Sequence, residues 1–346
     1  MLKRASVKRW NPLLGEWVII APTTEARPWS GTLVTTTKQN LPEYDPGCYL
    51  CPGVKRASGQ VNPKYKSVYV FENDFPTLSM NYMIENGNKP HPLDGPARGV
   101  CRVVCFDPKH NTTLAEMERE GMANVISTFQ KEFRELSSVP GIENVMVFEN
   151  KGEVIGVSNP HPHGQIYATD FVPRNILTEY YNARQYMDKE GTCLFCSIME
   201  EELSDKRRIV CQNAHFVSYV PYFACHAYEV HIVSRRHVPS IAALNENEMY
   251  SLVDIYREIL IRYDNIFEIP FPNITIFHSA PCAEKFEPEP YHFHIEFCPP
   301  LRSRDKLKHM AGFEVGGGNI INPAVPCESA EMLRSVSTVH YATRSL

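Results

Sequence analysis

Two stretches of the chain carry the same succession of apolar and amphipathic segments. In the first, an apolar run at 100–106 precedes a helix predicted over about 113–137, where Thr113 and Glu116 have the spacing of a capping box. In the second, an apolar run at 228–233 precedes a helix predicted over about 246–266, with apolar residues at helical spacing. Strands are predicted after each helix, at 145–148 and 161–165 in the first stretch and at 274–277 and 292–296 in the second.

Chemically reactive residues follow the same repeat. Each stretch begins with a Cys-x-x-Cys pair, has a histidine after its first strand and ends on a His-x-His pair. The repeat predicts an α+β protein of two similar halves, residues 1–187 and 188–346, each a mainly antiparallel sheet with packed helices. The glycine-rich segment 312–318 and a helix-like stretch after it extend the second half.

Composition limits the class of protein. Of the 346 residues, 43% are hydrophobic and 22% charged, which is typical of a globular chain with ample core. A net charge of −5 gives no basic surface for nucleic acid. No apolar run is long enough to cross a membrane, and no signal-peptide core follows Met1, so we expect a soluble, cytoplasmic protein. In that compartment, eleven cysteines favour metal sites or buried thiols over disulfides.

The paired cysteines predict metal sites, because structural zinc prefers four tetrahedral ligands drawn from thiolate and imidazole. The first half offers Cys48, Cys51, His110 and His161. The second half offers Cys193, Cys196, His237 and His292. We therefore expect one structural zinc ion in each half. The alternative for the second half is that its cysteines only pack in the core.

Residues 161–165, His-Pro-His-Gly-Gln, predict the reacting group. In an extended strand, His161, His163 and Gln165 share one face. If His161 binds metal, His163 is free to attack phosphorus as a neutral imidazole. Gln165 can donate its amide to a phosphoryl oxygen but cannot act as an acid. The leaving group must therefore be a good one, as in a nucleoside diphosphate sugar.

The octapeptide Ser-Asn-Pro-His-Pro-His-Gly-Gln at 158–165 resembles the signature of the galactose-1-phosphate uridylyltransferases, the transferase branch of the histidine-triad superfamily. Further matches lie at 11–13, 71–76, 147–152, 262–265 and 312–314. The resemblance implies two histidine-triad-like halves and a ping-pong reaction of galactose metabolism. His163 would attack the α-phosphorus of UDP-glucose, release glucose 1-phosphate, and pass the uridylyl group to galactose 1-phosphate, giving UDP-galactose.

The resemblance also implies roles for other residues. Ser158 and Gln165 would act with His163 on the phosphoryl group. Nucleotide contacts would come from Arg27, Asn73, Asp74 and Asn150. A later segment with Lys308, Phe313 and Glu314 would read the hexose from the partner subunit, which implies a homodimer.

Two departures keep alternatives open. Some members hold a second metal by one glutamate and three histidines; Glu179, His278 and His294 match three of these, but Glu296 replaces the last histidine. The second zinc set resembles that of plant relatives acting on ADP-glucose, so an adenylyltransferase or phosphorylase is the alternative enzyme. Those relatives carry serine in place of Pro162 and Gly164, which favours uridylyl transfer here.

Two further readings come from outside this branch. Nucleotide hydrolases of the histidine-triad type place histidine where Gln165 stands. A non-enzymatic two-zinc interaction module is the remaining class, and the low basic charge counts against it.

Overall fold

The computed structural model describes residues 5–24, 33, 40–81 and 95–344. Its strands are β1 (Val7–Asn11), β2 (Glu16–Ile20), β3 (Tyr69–Glu72), β4 (Gly99–Cys105), β5 (Asn144–Lys151), β6 (His163–Thr169), β7 (Ile209–Gln212), β8 (Phe216–Tyr219), β9 (Val230–Ser234), β10 (Asn273–His278), β11 (His294–Cys298), β12 (Leu301–Ser303), β13 (Lys306–Leu307) and β14 (Ile321–Asn322). Its α-helices are α1 (Arg119–Ser137), α2 (Arg174–Glu190), α3 (Leu194–Asp205), α4 (Glu246–Phe267), α5 (Gly312–Gly317) and α6 (Pro326–Ser335).

One antiparallel sheet runs through the molecule. Among the described residues it has nine strands, in the order β3-β4-β6-β5-β10-β11-β9-β8-β7. The order β3-β4-β6-β5 is mirrored by β8-β9-β11-β10, and the mirror lies where β5 pairs with β10. The repeated sequence pattern therefore folds into two matching sets of strands that share a single sheet. The predicted α+β class is confirmed.

Helices α1 and α4 pack together and cover one face of this sheet. Helix α4 begins after Asn245, whose side chain accepts from the Glu248 amide at 3.0 Å while the Glu248 carboxylate accepts from the Asn245 amide at 2.9 Å. Helix α1 begins at Arg119, later than predicted. The Thr113 hydroxyl contacts the Glu116 carboxylate at 3.4 Å, and the residues between them form turns rather than helix.

The remaining elements surround the sheet. Strands β1, β2 and β14 form a small separate sheet, in which β14 runs parallel to β2. Helix α2 contains residue 187, so the predicted division between the halves falls inside a helix. That division is still a prediction. Across the part of the chain that the structure describes, no helix combines the length and the apolar character needed to cross a membrane.

Candidate active site and metal centres

His163 is the first residue of β6, so the strand is shorter than predicted and His161 lies in the segment before it. The His163 Nδ1 atom is 2.7 Å from the His161 carbonyl oxygen. Because a carbonyl only accepts hydrogen bonds, Nδ1 carries the proton and the lone pair on Nε2 is free. Burial lowers the pKa of His163, which favours the neutral imidazole. This is the state in which an imidazole attacks an electrophile.

Gly164 lets β6 come close to its neighbours. A Cβ atom at this position would be 2.8 Å from the Phe106 ring and 3.0 Å from the Phe148 carbonyl oxygen. Any larger residue would displace the strand or the ring. The glycine therefore fixes the position of His163 and Gln165, which flank it.

Two cavities meet at His163. The strand-edge cavity, about 280 Å³, contains six of the residues that sequence analysis assigned to the site: Asn73, Asp74, Asn150, Ser158, His163 and Gln165. Phe71, Phe75 and Val103 supply apolar wall. The C-terminal cavity, about 300 Å³, shares Asn150, Ser158 and His163 and extends to Asp264 and His340. An imidazole, an amide donor and small residues are thus brought together at an opening large enough for a small ligand.

Arg56 supports the strand-edge cavity, a role that the sequence analysis missed. Its Nη1 atom lies 3.1 Å from the Asp74 carboxylate, and its guanidinium lies 4.0 Å above the Phe71 ring. The neighbouring Asn73 side chain accepts from the Phe75 amide at 2.9 Å. A single arginine has no sequence spacing that would reveal such contacts.

The predicted hexose-reading residues do not line either cavity within the described chain. The Glu314 carboxylate is buried and accepts from Lys308 Nζ at 2.6 Å and from the Ala311 and Ile321 amides at 3.0 and 2.9 Å. Burial raises its pKa, but these bonds outweigh it and the net pKa is lowered. Phe313 is 57% exposed. Arg27 lies outside the described residues.

The first predicted metal group converges in the structure. Cys48, Cys51, His110 and His161 each place one ligand atom within 4.8 Å of the others. The Nδ1 atoms of His110 and His161 lie 3.7 and 3.6 Å from Cys51 Sγ. On its other side His161 Nε2 is 3.1 Å from the Tyr65 hydroxyl, which donates to the Leu50 carbonyl at 2.6 Å. Burial lowers the pKa of His161 to about 3, so its imidazole is neutral, as metal binding requires.

The second predicted group has the same design. Cys193, Cys196, His237 and His292 also converge within 4.8 Å. Nδ1 of His292 lies 3.4 Å from Cys196 Sγ, and Nδ1 of His237 lies 3.8 Å from it. Their Nε2 atoms face acceptors: Ser234 for His292 at 2.9 Å, and the Tyr291 carbonyl for His237 at 3.0 Å. Both Cys₂His₂ groups could hold a metal ion.

A third group, Glu179, His278, His294 and Glu296, also lies within 4.8 Å and could hold a metal ion. His278 contacts Glu179 at 3.1 Å and Glu296 at 3.4 Å. Burial lowers the pKa of His278, but the two carboxylates have the larger effect, and the net pKa is raised to about 9. His231 extends this network, 3.1 Å from Glu229 and 3.3 Å from Glu296. The sequence analysis missed His231 because it lies within the largely apolar run that forms β9.

Family models match almost the whole chain. The N-terminal domain model of galactose-1-phosphate uridyl transferase matches residues 2–173, and the C-terminal domain model matches residues 179–345. The chain belongs to the galactose-1-phosphate uridyl transferase family. This confirms the resemblance that the octapeptide at 158–165 suggested.

Curated members of the galactose-1-phosphate uridyl transferase family support the assignment along the full length. The galactose-1-phosphate uridylyltransferase of Haemophilus influenzae is 37% identical over 340 residues, which cover 98% of this chain and 96% of that protein. The enzyme of the same name from Saccharomyces cerevisiae is 35% identical, covering 98% of this chain and 97% of its own.

Solved structures share the fold. A uridylyltransferase structure superposes with a TM-score of 0.76 at 27% identity, covering 96% of this chain and 98% of that one. An ADP-glucose phosphorylase from Arabidopsis thaliana superposes with a TM-score of 0.77 at 24% identity, covering 96% of this chain and all of that one. At that identity the likeness to the phosphorylase shows the fold alone.

Proposed function

We propose that this protein transfers UMP from UDP-glucose to galactose 1-phosphate, in galactose metabolism, through a covalent uridylyl group on His163. The observation that carries the proposal is the free Nε2 atom of His163. Its Nδ1–H is held by the His161 carbonyl at 2.7 Å, and the ring lies at the cavity that also contains Gln165 and Ser158. Membership in the galactose-1-phosphate uridyl transferase family supports the choice of substrates.

In the first half-reaction, His163 Nε2 attacks the α-phosphorus of UDP-glucose. An N–P bond forms, the bond from the α-phosphorus to the bridging oxygen breaks, and glucose 1-phosphate leaves with the bond's electron pair. The proton on Nδ1 stays on the ring, and the His161 carbonyl stabilises the positive charge that the ring acquires. In the second half-reaction a phosphate oxygen of galactose 1-phosphate attacks the same phosphorus, the N–P bond breaks and His163 is neutral again.

Gln165 and Ser158 can stabilise the phosphoryl oxygens while the charge is redistributed. Both line the strand-edge cavity with His163, and each carries a hydrogen-bond donor. Gln165 has no proton to give up, so the reaction depends on leaving groups that need no acid. Sugar phosphates meet this requirement, whereas sugar hydroxyls do not. Asn73, Asp74 and Asn150 then hold the nucleotide within the same cavity.

Zinc is the metal that best fits the two Cys₂His₂ groups, since thiolate and imidazole are its usual structural ligands. Bound there, it would cross-link the segments that carry its ligands. His161 is the residue that joins the first group to the reacting strand, because its carbonyl also orients His163. All four protein ligands are already present in each group, so the role of the metal is structural.

A homodimer would complete the site. Lys308, Phe313 and Glu314 lie away from both cavities of their own chain, so they would read the hexose in the site of a second copy. The exposed Met310, Phe313 and Val315 give this segment an apolar surface for such a contact. We also place the enzyme in the cytoplasm, which the eleven free thiols support.

The test uses UDP-glucose and ADP-glucose, each labelled at the α-phosphate, with the protein as it is purified. We expect UDP-glucose to label the wild-type chain, the label to be lost on adding galactose 1-phosphate, and His163→Ala to take no label. His294→Gln is the matched control, because His294 Nδ1 contacts the His292 carbonyl at 2.9 Å just as His163 contacts that of His161. Labelling of folded His163→Ala, or preferential labelling by ADP-glucose, would contradict the proposal.

A second variant tests attack by nitrogen more directly. His163→Gly leaves a space of imidazole size beside Gln165. Added imidazole should then attack UDP-glucose and release glucose 1-phosphate, whereas the same variant without imidazole should not. Equal release with and without imidazole would show that another residue is the nucleophile.

A further inference from the structure

The segment Arg262-Tyr263-Asp264-Asn265, near the end of α4, binds the C-terminal part of the chain. Arg262 Nη1 donates to the carbonyl oxygens of Leu333, Arg334 and Val336 at 2.8, 3.1 and 3.2 Å. Asn265 Nδ2 donates to those of Ser337 and Val339 at 2.7 and 2.9 Å. These two side chains hold the last turn of α6 and the residues after it against α4.

Asp264, between them, faces the active site instead. One carboxylate oxygen accepts from Lys151 Nζ at 2.7 Å and from the Phe271 amide at 2.8 Å. The other oxygen lies 3.2 Å from His340 Nε2. The side chains of Asp264, His340 and Lys151 are only 2%, 5% and 11% exposed. The carboxylate thus joins three segments of the chain in a buried polar cluster.

Lys151 is the last residue of β5 and follows Asn150 directly. The next residue, Gly152, has φ 110°, and a Cβ atom there would be 2.7 Å from Pro272. Asp264 and Pro272 therefore hold this turn from the side of α4. Asn150, Lys151, Gly152, Asp264 and His340 all line the C-terminal cavity, which also reaches His163.

We propose that Asp264 is a positioning residue for the transfer reaction: by binding Lys151 it fixes the end of β5 and so the placement of Asn150 relative to His163. The inference rests on the proposed function. The Lys151 charge is neutralised by Asp264, so Lys151 serves as an anchor rather than as a free cation for phosphate. A buried ion pair of this kind adds little net stability over an apolar pair, whereas removing one partner leaves an unpaired buried charge.

The experiment uses three test variants: Asp264→Asn, Lys151→Met and the double variant that carries both changes. Each is compared with the wild type and with Arg262→Met as control. The rate of label transfer from UDP-glucose to His163 is measured in a single turnover, and the dissociation constant of UDP-glucose is measured with His163→Ala added. We expect each single variant to slow labelling about 10- to 100-fold and to raise the dissociation constant by a smaller factor, because Asn150 also holds the nucleotide before the transfer step. The double variant should be no slower than the slower single variant, because both changes remove one interaction.

Arg262→Met is the matched control, since it removes contacts of the C-terminal segment without removing the Asp264–Lys151 pair. We expect it to lower the melting temperature and leave the labelling rate within about threefold of wild type. Wild-type labelling by folded Asp264→Asn or Lys151→Met would overturn the proposal. So would a loss of UDP-glucose binding equal to the loss of rate, because Asp264 would then act on affinity.

Hydrogen exchange separates this inference from the proposed function. The amides of 150–152 should exchange faster in Asp264→Asn and Lys151→Met than in the wild type and in Arg262→Met. If the wild-type chain takes no label, the proposed function fails, and unchanged exchange at 150–152 would independently refute the positioning role. Faster exchange confined to residues 150–152 in Asp264→Asn and Lys151→Met would support the positioning role even if the wild-type chain took no label.

Discussion

Glu149 is a carboxylic acid at the end of β5 that neither the metal groups nor the transfer step uses. It is 7% exposed, and its Oε2 atom has no hydrogen-bond partner among the described residues. Burial raises the pKa of Glu149 and outweighs the lowering effect of Lys151, so that, with a further raising contribution from Asp264, the net pKa is about 7. The buried Tyr256 hydroxyl also faces it. Glu149 is therefore protonated over a range in which an exposed glutamate is charged.

This shift has a definite effect on stability. The folded state binds a proton that the unfolded state has lost, so the free energy of unfolding falls as pH rises from about 4.5 to about 7. Glu149→Gln has no charge to bury. Its stability advantage over the wild type should therefore grow from near zero at pH 4.5 to about 3 kcal/mol above pH 7. Urea denaturation at several pH values measures it, with the exposed Glu153→Gln as control. A constant difference across pH would contradict the assignment.

Gly164 gives a second prediction for a single residue. Gly164→Ala should destabilise the protein by about 1–3 kcal/mol, because the new methyl group meets the Phe106 ring at 2.8 Å. Transfer activity should fall further than stability, since His163 and Gln165 move with the strand. Gly95→Ala is the control, as a Cβ atom there meets nothing within 4 Å. The melting temperatures and initial rates of the two variants are measured. Equal values for Gly164→Ala and Gly95→Ala would refute the steric argument.

Tyr65, between the cysteine knuckle and β3, contacts both the knuckle and the metal-group residue His161. Its hydroxyl connects His161 Nε2 to the Leu50 carbonyl, and its ring stacks on Tyr69 with the centroids 5.1 Å apart. Tyr65→Phe keeps the stack and removes the bridge. We expect metal to be lost to a chelator about 10- to 100-fold faster, because such hydrogen bonds orient metal-binding histidines. The control Tyr69→Phe should retain metal like the wild type. If Tyr65→Phe retained metal equally well, the Tyr65 hydroxyl would not be needed to orient His161.

Among the helices and metal groups, the features that could be predicted from the sequence are those that depend on the spacing of nearby residues. The metal groups could be predicted because cysteine and histidine stood in the same order twice, and α4 because its apolar residues recur at helical spacing. Arg56 and Tyr65 could not be predicted, since their partners Asp74 and His161 are 18 and 96 positions away. The start of α1 was wrong because Thr113 and Glu116 have capping-box spacing yet form a turn.

For the whole molecule, the position of Glu314 outside both cavities predicts that two chains share each site. Glu314→Gln and His163→Gly should each be nearly inactive alone. After subunit exchange at equal concentration, half of the dimers are mixed and each has one intact site, so activity should recover to about a quarter of the wild-type value. If Glu314 acted in its own chain, mixing would restore nothing. Light scattering on the same samples checks the dimer.

The joining of the two halves in one sheet is also a property of the whole molecule. The repeated pattern predicted two sets of strands but not their union, because nothing local in 144–151 or 273–278 specifies that Asn150 pairs with Ile274. Tertiary packing determines that register.

Strand β5, which carries Asn150, lies between β6 and β10 and so has no free side. Removing the second half, and β10 with it, would leave β5 as the border of the first-half sheet, with the amides and carbonyls that had paired with β10 open to other chains. Such an exposed border favours edge-to-edge pairing with other chains and hence aggregation. The two halves are thus mutually dependent, because β5 and β10 each cover the other's open edge.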